Sequence, residues 1–218
     1  MMTGARHDTN SCGPLEIVEY INASQVEVRF IGTGYQTEAQ AGAIRAGVIK
    51  DPLKPSVYGR GYFGVGRHRS SEGGKITKAY DCWHRMLARC YCEKAQAEKP
   101  TYIGVTVCDE WHDFQAFADW HESNYIEGCQ IDKDIRIKGN KVYSPAACKF
   151  VTNEENSVEA SAKHYRFIDP RGRAVDVYNL SKFCHGNNLG RSSMYDVHNG
   201  RLSAHKKWTK EKASKTRN

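Results

Sequence analysis

Along residues 25–31, QVEVRFI, apolar and charged side chains alternate, with Val26, Val28 and Phe30 on one side and Glu27 and Arg29 on the other. A period of two is that of a strand with one face in a core. The preceding LEIVEY has the composition of a second strand, and INASQ between the two supplies a hairpin turn. Beyond it, in GTGYQTEAQAGAIRAGVIKDPLKPSVYGRGYFGVG, glycines and prolines recur too often for a long element, so the chain is expected to run there as loops. Residues 12–68 thus read as a small β-rich unit, of a size that is marginal alone.

The period then lengthens. In AYDCWHRMLARCY, Tyr80, Trp83, Leu87 and Cys90 recur at three to four residues; in WHDFQAFADWHESNY, Phe114, Phe117, Ala118 and His121 do the same. Each set marks one face of a helix. The two helices are expected to pack around QIDKDIRIKGNKVYSPAACKFVTNEEN, which divides into a strand (QIDKDI), a polar turn (RIKGNK), a second strand (CKFVT) and a helix that starts at NEENSVEA with Thr152 or Asn153 as its cap. Strand, loop, strand, helix is an order that brings the end of the first strand to face the helix, leaving a gap wide enough for a divalent ion and a phosphate. This second unit spans 75–163.

Residues 165–218 open with YRFIDPRGRAVDVYN, two strand-like runs around the turn Asp169-Pro170-Arg171-Gly172. Two short helices follow, NLSKFCHGNNLG and RSSMYDVHNGRLS, in which Leu180, Phe183, Cys184 and Leu189 would face Met194, Val197 and Leu202. The arrangement is that of a helix-turn-helix whose second helix presents Arg191, Ser192, Ser193, Tyr195 and His198. The fold class that results is α+β.

Charge sharpens this picture more than composition does. The chain carries a net +7, yet residues 159–218 hold 13 basic against 5 acidic side chains and the rest of the chain 19 against 20. A basic segment at one end points to an acidic polymer as partner, because neutralised phosphates release condensed counterions; Lys206 and Lys207 in its KKWTKEKASKTRN tail would act through phosphate. No apolar run nears the roughly 18 residues of a membrane span, and MMTGARHDTNSCG has no signal-peptide core, so neither a membrane partner nor secretion is expected. Eight cysteines in such a chain read as buried thiols or metal ligands, not as a disulfide framework.

Six blocks in order, YDCWHRMLARC, TVCDEWHDFQAF, IDKDI, GN, YSPAAC and Asn156, resemble phage-borne HNH-type endonucleases of the homing or free-standing kind, and the C-terminal stretch is similar to their modular helix-turn-helix repeats. The resemblance implies a central ββα-metal core with flanking helices, tethered to a β-hairpin and helix-turn-helix with a basic tail. It implies phosphodiester hydrolysis of double-stranded DNA with Mg²⁺ or Mn²⁺, carried out in a host cytoplasm. Asp132 takes the family's Asp position and Asn156 its helix position, so that Asp132, Asp134 and Asn156 become the metal ligands and Asp132, Lys133, Asp134 and Asn156 the catalytic set.

Two departures weaken that set. Lys133 stands where the family's His activates water, although imidazole is the side chain suited to that work at neutral pH. Ala147 replaces the Asn that orients the His. His112 and His121, expected on the preceding helix, are the other candidate bases. Cys90, Cys108 and Cys148 fall at the family's cysteine positions and, with Cys82 or Cys92, are candidates for a structural Zn²⁺, though no CxxC pair supports it. The rivals are a DNA-binding protein with a decayed nuclease core and an RNA-binding accessory.

Overall fold

A computed structural model of the chain describes residues 2–137, 139–153 and 163–211. The fold is α+β, with several small sheets and short helices, and it divides into two units, Met1–Phe150 and Val151–Asn218. Among the described residues no helix is long and apolar enough to cross a membrane.

The first unit starts with an antiparallel meander: β1 (Arg6–Thr9), β2 (Gly13–Asn22), β3 (Gln25–Phe30) and β4 (Gln36–Ala39). Alternation along β3 sends Val26, Val28 and Phe30 inward, where they meet Leu15 and Ile17 of β2. The β2–β3 turn is closed by Asn22, whose side-chain oxygen accepts from the Ser24 amide at 2.8 Å. The stretch expected to be loop contributes more than that. Gln36–Ala39 pairs with β3, and α1 (Ala41–Arg45) caps the sheet with Ala41 and Ile44. Pairing to an existing edge satisfies backbone groups that the local sequence alone does not favour in a strand.

Residues 51–69 then lie across two helices, and glycines permit the approach. Gly61 faces Leu87 and Trp83, and Gly64, at φ +75°, abuts the Asp113 carboxylate. A β-carbon at either position would collide with those side chains. A two-stranded ribbon, β5 (Ser71–Glu72) and β6 (Lys75–Ile76), leads into α2 (Lys78–Tyr91).

Thr77 caps α2 by accepting from the Tyr80 amide at 3.3 Å, and Asp113 caps α4 (Phe114–Asn124) by accepting from Gln115 at 2.8 Å. Of the expected faces, Trp83, Leu87 and Cys90 on one helix and Phe114, Phe117, Ala118 and His121 on the other are buried; Tyr80 is only half-buried, and Met86 joins the α2 face instead. Trp83 donates from its indole to the Trp111 carbonyl at 2.8 Å and ties α2 to the residues just before α4. Trp111 and His112 belong to a short 3-10 turn, Asp109–His112, that precedes α4. Between the helices come α3 (Glu93–Glu98) and β7 (Thr106–Val107).

The central segment follows its predicted order with one change. β8 (Gln130–Asp132) pairs with β10 (Lys149–Val151), but β8 stops at Asp132, and β9 (Val142–Tyr143) pairs in parallel with β7 instead. The helix expected from Asn153 onward lies outside the described residues beyond its first residue.

In the second unit β11 (Tyr165–Ile168) and β12 (Ala174–Val177) form an antiparallel hairpin. Asp169 closes it: its Oδ1 accepts from the amides of Arg171 and Arg173 at 2.8 and 2.9 Å, and Gly172 turns at φ +81°. Two helices follow, α5 (Leu180–Gly186), capped by Asn179, and α6 (Arg191–Asn199), ended by Gly200 in the left-handed region. Leu180, Cys184, Met194 and Val197 pack with Tyr165, Phe167 and Val177 into one core. Leu202 is not part of it; it is 43% exposed just past the helix end. The expected basic tail contains a second hairpin, β13 (Ala204–His205) and β14 (Trp208–Lys210), which completes a sheet in the order β12-β11-β14-β13.

Candidate functional site

Asp132 ends β8 by turning its own side chain back on the chain. Its Oδ1 accepts from the amides of Asp134 and Ile135 at 2.7 and 2.8 Å, which bends the backbone out of the extended conformation. Lys133 is 8% exposed, and its Nζ donates to Asp134 Oδ2 at 2.6 Å and to the Asn140 carbonyl at 2.9 Å. Asn140 returns the bond, donating from its amide to the carbonyls of Lys133 and Val142. The loop between β8 and β9 is thus laced shut by Lys133 and Asn140.

Both partners of Lys133 are acceptors, so in this arrangement it serves as a donor that holds the loop together. Asp134 offers the other feature of note. Its Oδ1 is buried and has no hydrogen-bond partner among the described residues. Ala147, at the position of the missing Asn, is buried at 3% exposed. Asn156 lies outside the described residues.

The two candidate histidines differ from expectation. His112 sits in the 3-10 turn, half-buried, with Nε2 2.9 Å from the Tyr91 hydroxyl, so that nitrogen is engaged. His121 is 5% exposed, stacks on Tyr125 at 4.7 Å and leaves Nε2 buried without a partner among the described residues. Burial depresses the pKa of both rings and keeps them neutral more readily than a surface histidine.

Cys90, Cys108 and Cys148 do not converge as a zinc site would demand. The one cluster of three or more His, Cys, Asp or Glu ligand atoms within 4.8 Å among the described residues lies elsewhere. Burial pushes the Cys82, Cys90 and Cys148 thiols up to about 12 and raises Cys108 as well. They are protonated core side chains.

The cluster consists of His68, Asp119 and Glu122. Sequence reasoning missed it, because a loop residue and a helix pair come together only through the packing of residues 61–69 on α4. The Asp119/Glu122 spacing of three on one helix face was the available sign. His68 Nε2 is 2.8 Å from Asp119 Oδ1, and the Arg67 guanidinium reaches Asp119 at 3.4 Å and also pairs with Glu122. The hydrogen bond from His68, then that from Arg67, holds the Asp119 carboxyl below the usual carboxylate range. With an arginine already seated on both carboxylates, the cluster is an ion-pair network.

In the second unit Arg191, Ser192 and Tyr195 are exposed on α6 and Ser193 is half-buried. Arg191, Ser192 and Tyr195 flank a cavity of about 400 Å³ at the helix start, which Lys163 also lines. His198 is turned the other way. It packs edge-on against Tyr165 at 4.8 Å, and burial lowers its pKa, so it supports the core and is not presented outward. Lys206 and Lys207 form the two-residue tip of the β13–β14 hairpin at φ +48° and +67°, with Lys206 Nζ donating to the Asn188 carbonyl at 2.7 Å.

No family model and no curated protein matches the chain. Among solved structures it is similar to one described as "DNA binding and cleavage by the HNH homing endonuclease I-HmuI", with 16% identity over 89% of this chain and 95% of that one, at a TM-score of 0.24. A superposition this loose transfers no residue role.

Proposed function

We propose that the chain is a DNA-binding protein built on an HNH-like nuclease frame, in which a metal-dependent centre at Asp132 and Asp134 hydrolyses phosphodiester bonds and the second unit holds the duplex as a helix-turn-helix module. The observation that carries the DNA-binding half is the start of α6. Arg191 and Ser192 stand exposed there, with Lys163 beside them, where free amides and the helix dipole favour phosphate.

For the cleaving half, the support is the pair β8–β10 with Asp132 at the strand end and a buried, unpartnered Asp134 oxygen close by. Such an oxygen suits Mg²⁺ or Mn²⁺, and Asn156 would complete the set. The ion would neutralise charge on the phosphate when bound; Asp132 and Asp134 would hold it, and Lys133 would keep their loop closed.

A second reading, a DNA-binding protein whose nuclease core has decayed, is favoured by the way Lys133 is spent on loop closure while Ala147 is buried. Incubating the protein with plasmid and phage DNA in Mg²⁺ or Mn²⁺ decides between them. Cleavage that Asp132→Ala and Asn156→Ala abolish supports the first reading, whereas DNA binding without cleavage under every condition supports the second. Competition between duplex DNA and RNA in a gel-shift assay tests the partner.

A further inference from the structure

Between α2, α4 and the start of β8 a cavity of about 260 Å³ opens, far from the α6 surface in sequence and sharing with the residues assigned above only His121 and Cys82. Its volume is well above the roughly 10–15 Å³ that one water needs and near the lower end of small-ligand pockets, at about 300 Å³. A duplex does not fit it; one nucleotide's worth of atoms does.

Four features of the lining ask for a ligand. His121 is buried with no partner for Nε2 among the described residues, although buried polar atoms are satisfied in the great majority of cases. Arg89 is half-buried, its guanidinium 5.6 Å from the centre of the Tyr102 ring and hydrogen-bonded to the Tyr143 side chain, with no carboxylate in ion-pair contact among the described residues; a partly desolvated guanidinium with only neutral partners keeps its attraction for an anion. Around His121, Tyr125 stacks at 4.7 Å and Phe150 stands edge-on at 5.4 Å, forming an aromatic wall. Arg85 lines it as well, its side chain 70% exposed and, among the described residues, in an ion pair with Asp81 alone.

We propose that this cavity binds a single nucleotide unit, its phosphate on Arg85 and Arg89 and its base edge on His121 Nε2 against the Tyr125–Phe150 wall. Neither a bare anion nor an apolar ring meets both demands; a flat heteroaromatic ring that carries a phosphate does. The choice of a nucleotide over another aromatic phosphate rests on the nucleic-acid reading above. The unit comes either from a bound strand, as a nucleotide swung out of the stack, or from the free pool.

The test uses the full-length protein without metal. Thymidine, inorganic phosphate and thymidine 5′-monophosphate are titrated by calorimetry while the histidine imidazole nitrogens are followed by NMR, together with a hairpin duplex that carries one extrahelical thymidine and its fully paired control. The monophosphate is expected to bind at least tenfold more tightly than thymidine or phosphate and to shift the His121 nitrogens. Arg85→Ala should weaken it about tenfold, the scale of one charge-assisted hydrogen bond, without changing the melting temperature. Arg89→Lys, which keeps the charge and loses the fork, should weaken it as well. A shift produced by the extrahelical duplex and not by its control identifies the strand as the source; a shift with the monophosphate alone identifies the free nucleotide. If no probe moves the His121 signals, or if binding is indifferent to Arg85→Ala, the inference is overturned. No cleavage enters these measurements, so a protein that never cuts DNA can still show them.

Discussion

Replacing Lys133 by methionine separates its two possible roles. The substitution keeps most of the side-chain volume and removes the ammonium, so that the Asp134 carboxylate loses a 2.6 Å bond and the Asn140 carbonyl a 2.9 Å bond. Breaking a fully buried ion pair costs about 3–5 kcal/mol. Here Asp134 is 43% exposed on its side-chain surface, and water can take up part of the loss. The carbonyl, with one unsatisfied acceptor, adds about 1 kcal/mol. The expected destabilisation is therefore about 2–4 kcal/mol, confined to the first unit, and seen as a lower urea midpoint at unchanged slope. A double-mutant cycle with Asp134→Asn should return a coupling of about 1–2 kcal/mol. A Lys133→Met protein with wild-type stability that has lost cleavage would refute this reasoning, because it would make the ammonium a chemical group and not a brace.

Gly64→Ala must adopt a left-handed backbone and displace the Asp113 cap of α4; a loss of about 2–3 kcal/mol is expected by urea unfolding, from roughly 1–2 for the backbone and about 1 for the cap. His112, His121 and His198 all have pKa values lowered by burial. The unfolded chain therefore takes up protons near pH 6.5 that the folded one resists, so stability is full above about 6.5 and falls as the pH drops below it. His121→Gln should flatten that slope in urea titrations run between pH 5 and 7. Arg191→Ala should weaken DNA binding by about 1–3 kcal/mol, and Lys207→Ala should reduce the salt slope by about one; gel shifts at several salt concentrations that show no slope would contradict the phosphate contacts.

Most of the core was legible from periodicity. Val26, Val28 and Phe30 alternate as they do because a sheet face is buried, and Trp83, Leu87, Phe114 and Phe117 recur at helical spacing because each helix has one wet side. The Asp-Pro-Arg-Gly turn and the pair of short helices were equally open to reading, since the signals lie within a few residues of one another. What escaped depends on tertiary partners. Nothing local to Thr106–Val107 and Val142–Tyr143 announces a parallel pair 36 residues apart. His68 meets Asp119 only because Gly61 and Gly64 let a loop settle on the helices. Lys133 showed its charge in the sequence and its task only in the fold, as two acceptors from different parts of the loop converge on it. The β13–β14 hairpin was hidden for a different reason, as its turn lacks the glycine or asparagine by which such turns are recognised.

That turn carries a consequence for engineering. Lys206 and Lys207 both occupy left-handed backbone, where a side chain costs about 1–2 kcal/mol per residue relative to its ordinary conformations. An Asn-Gly pair would relieve nearly all of it. The hairpin therefore stands below the stability open to it, and the difference keeps two lysines at its tip, one of them tied by its ammonium to the Asn188 carbonyl. Thermostabilising selections run without DNA should drift toward asparagine and glycine at these two positions, and the variants they yield should fold better and grip phosphate less.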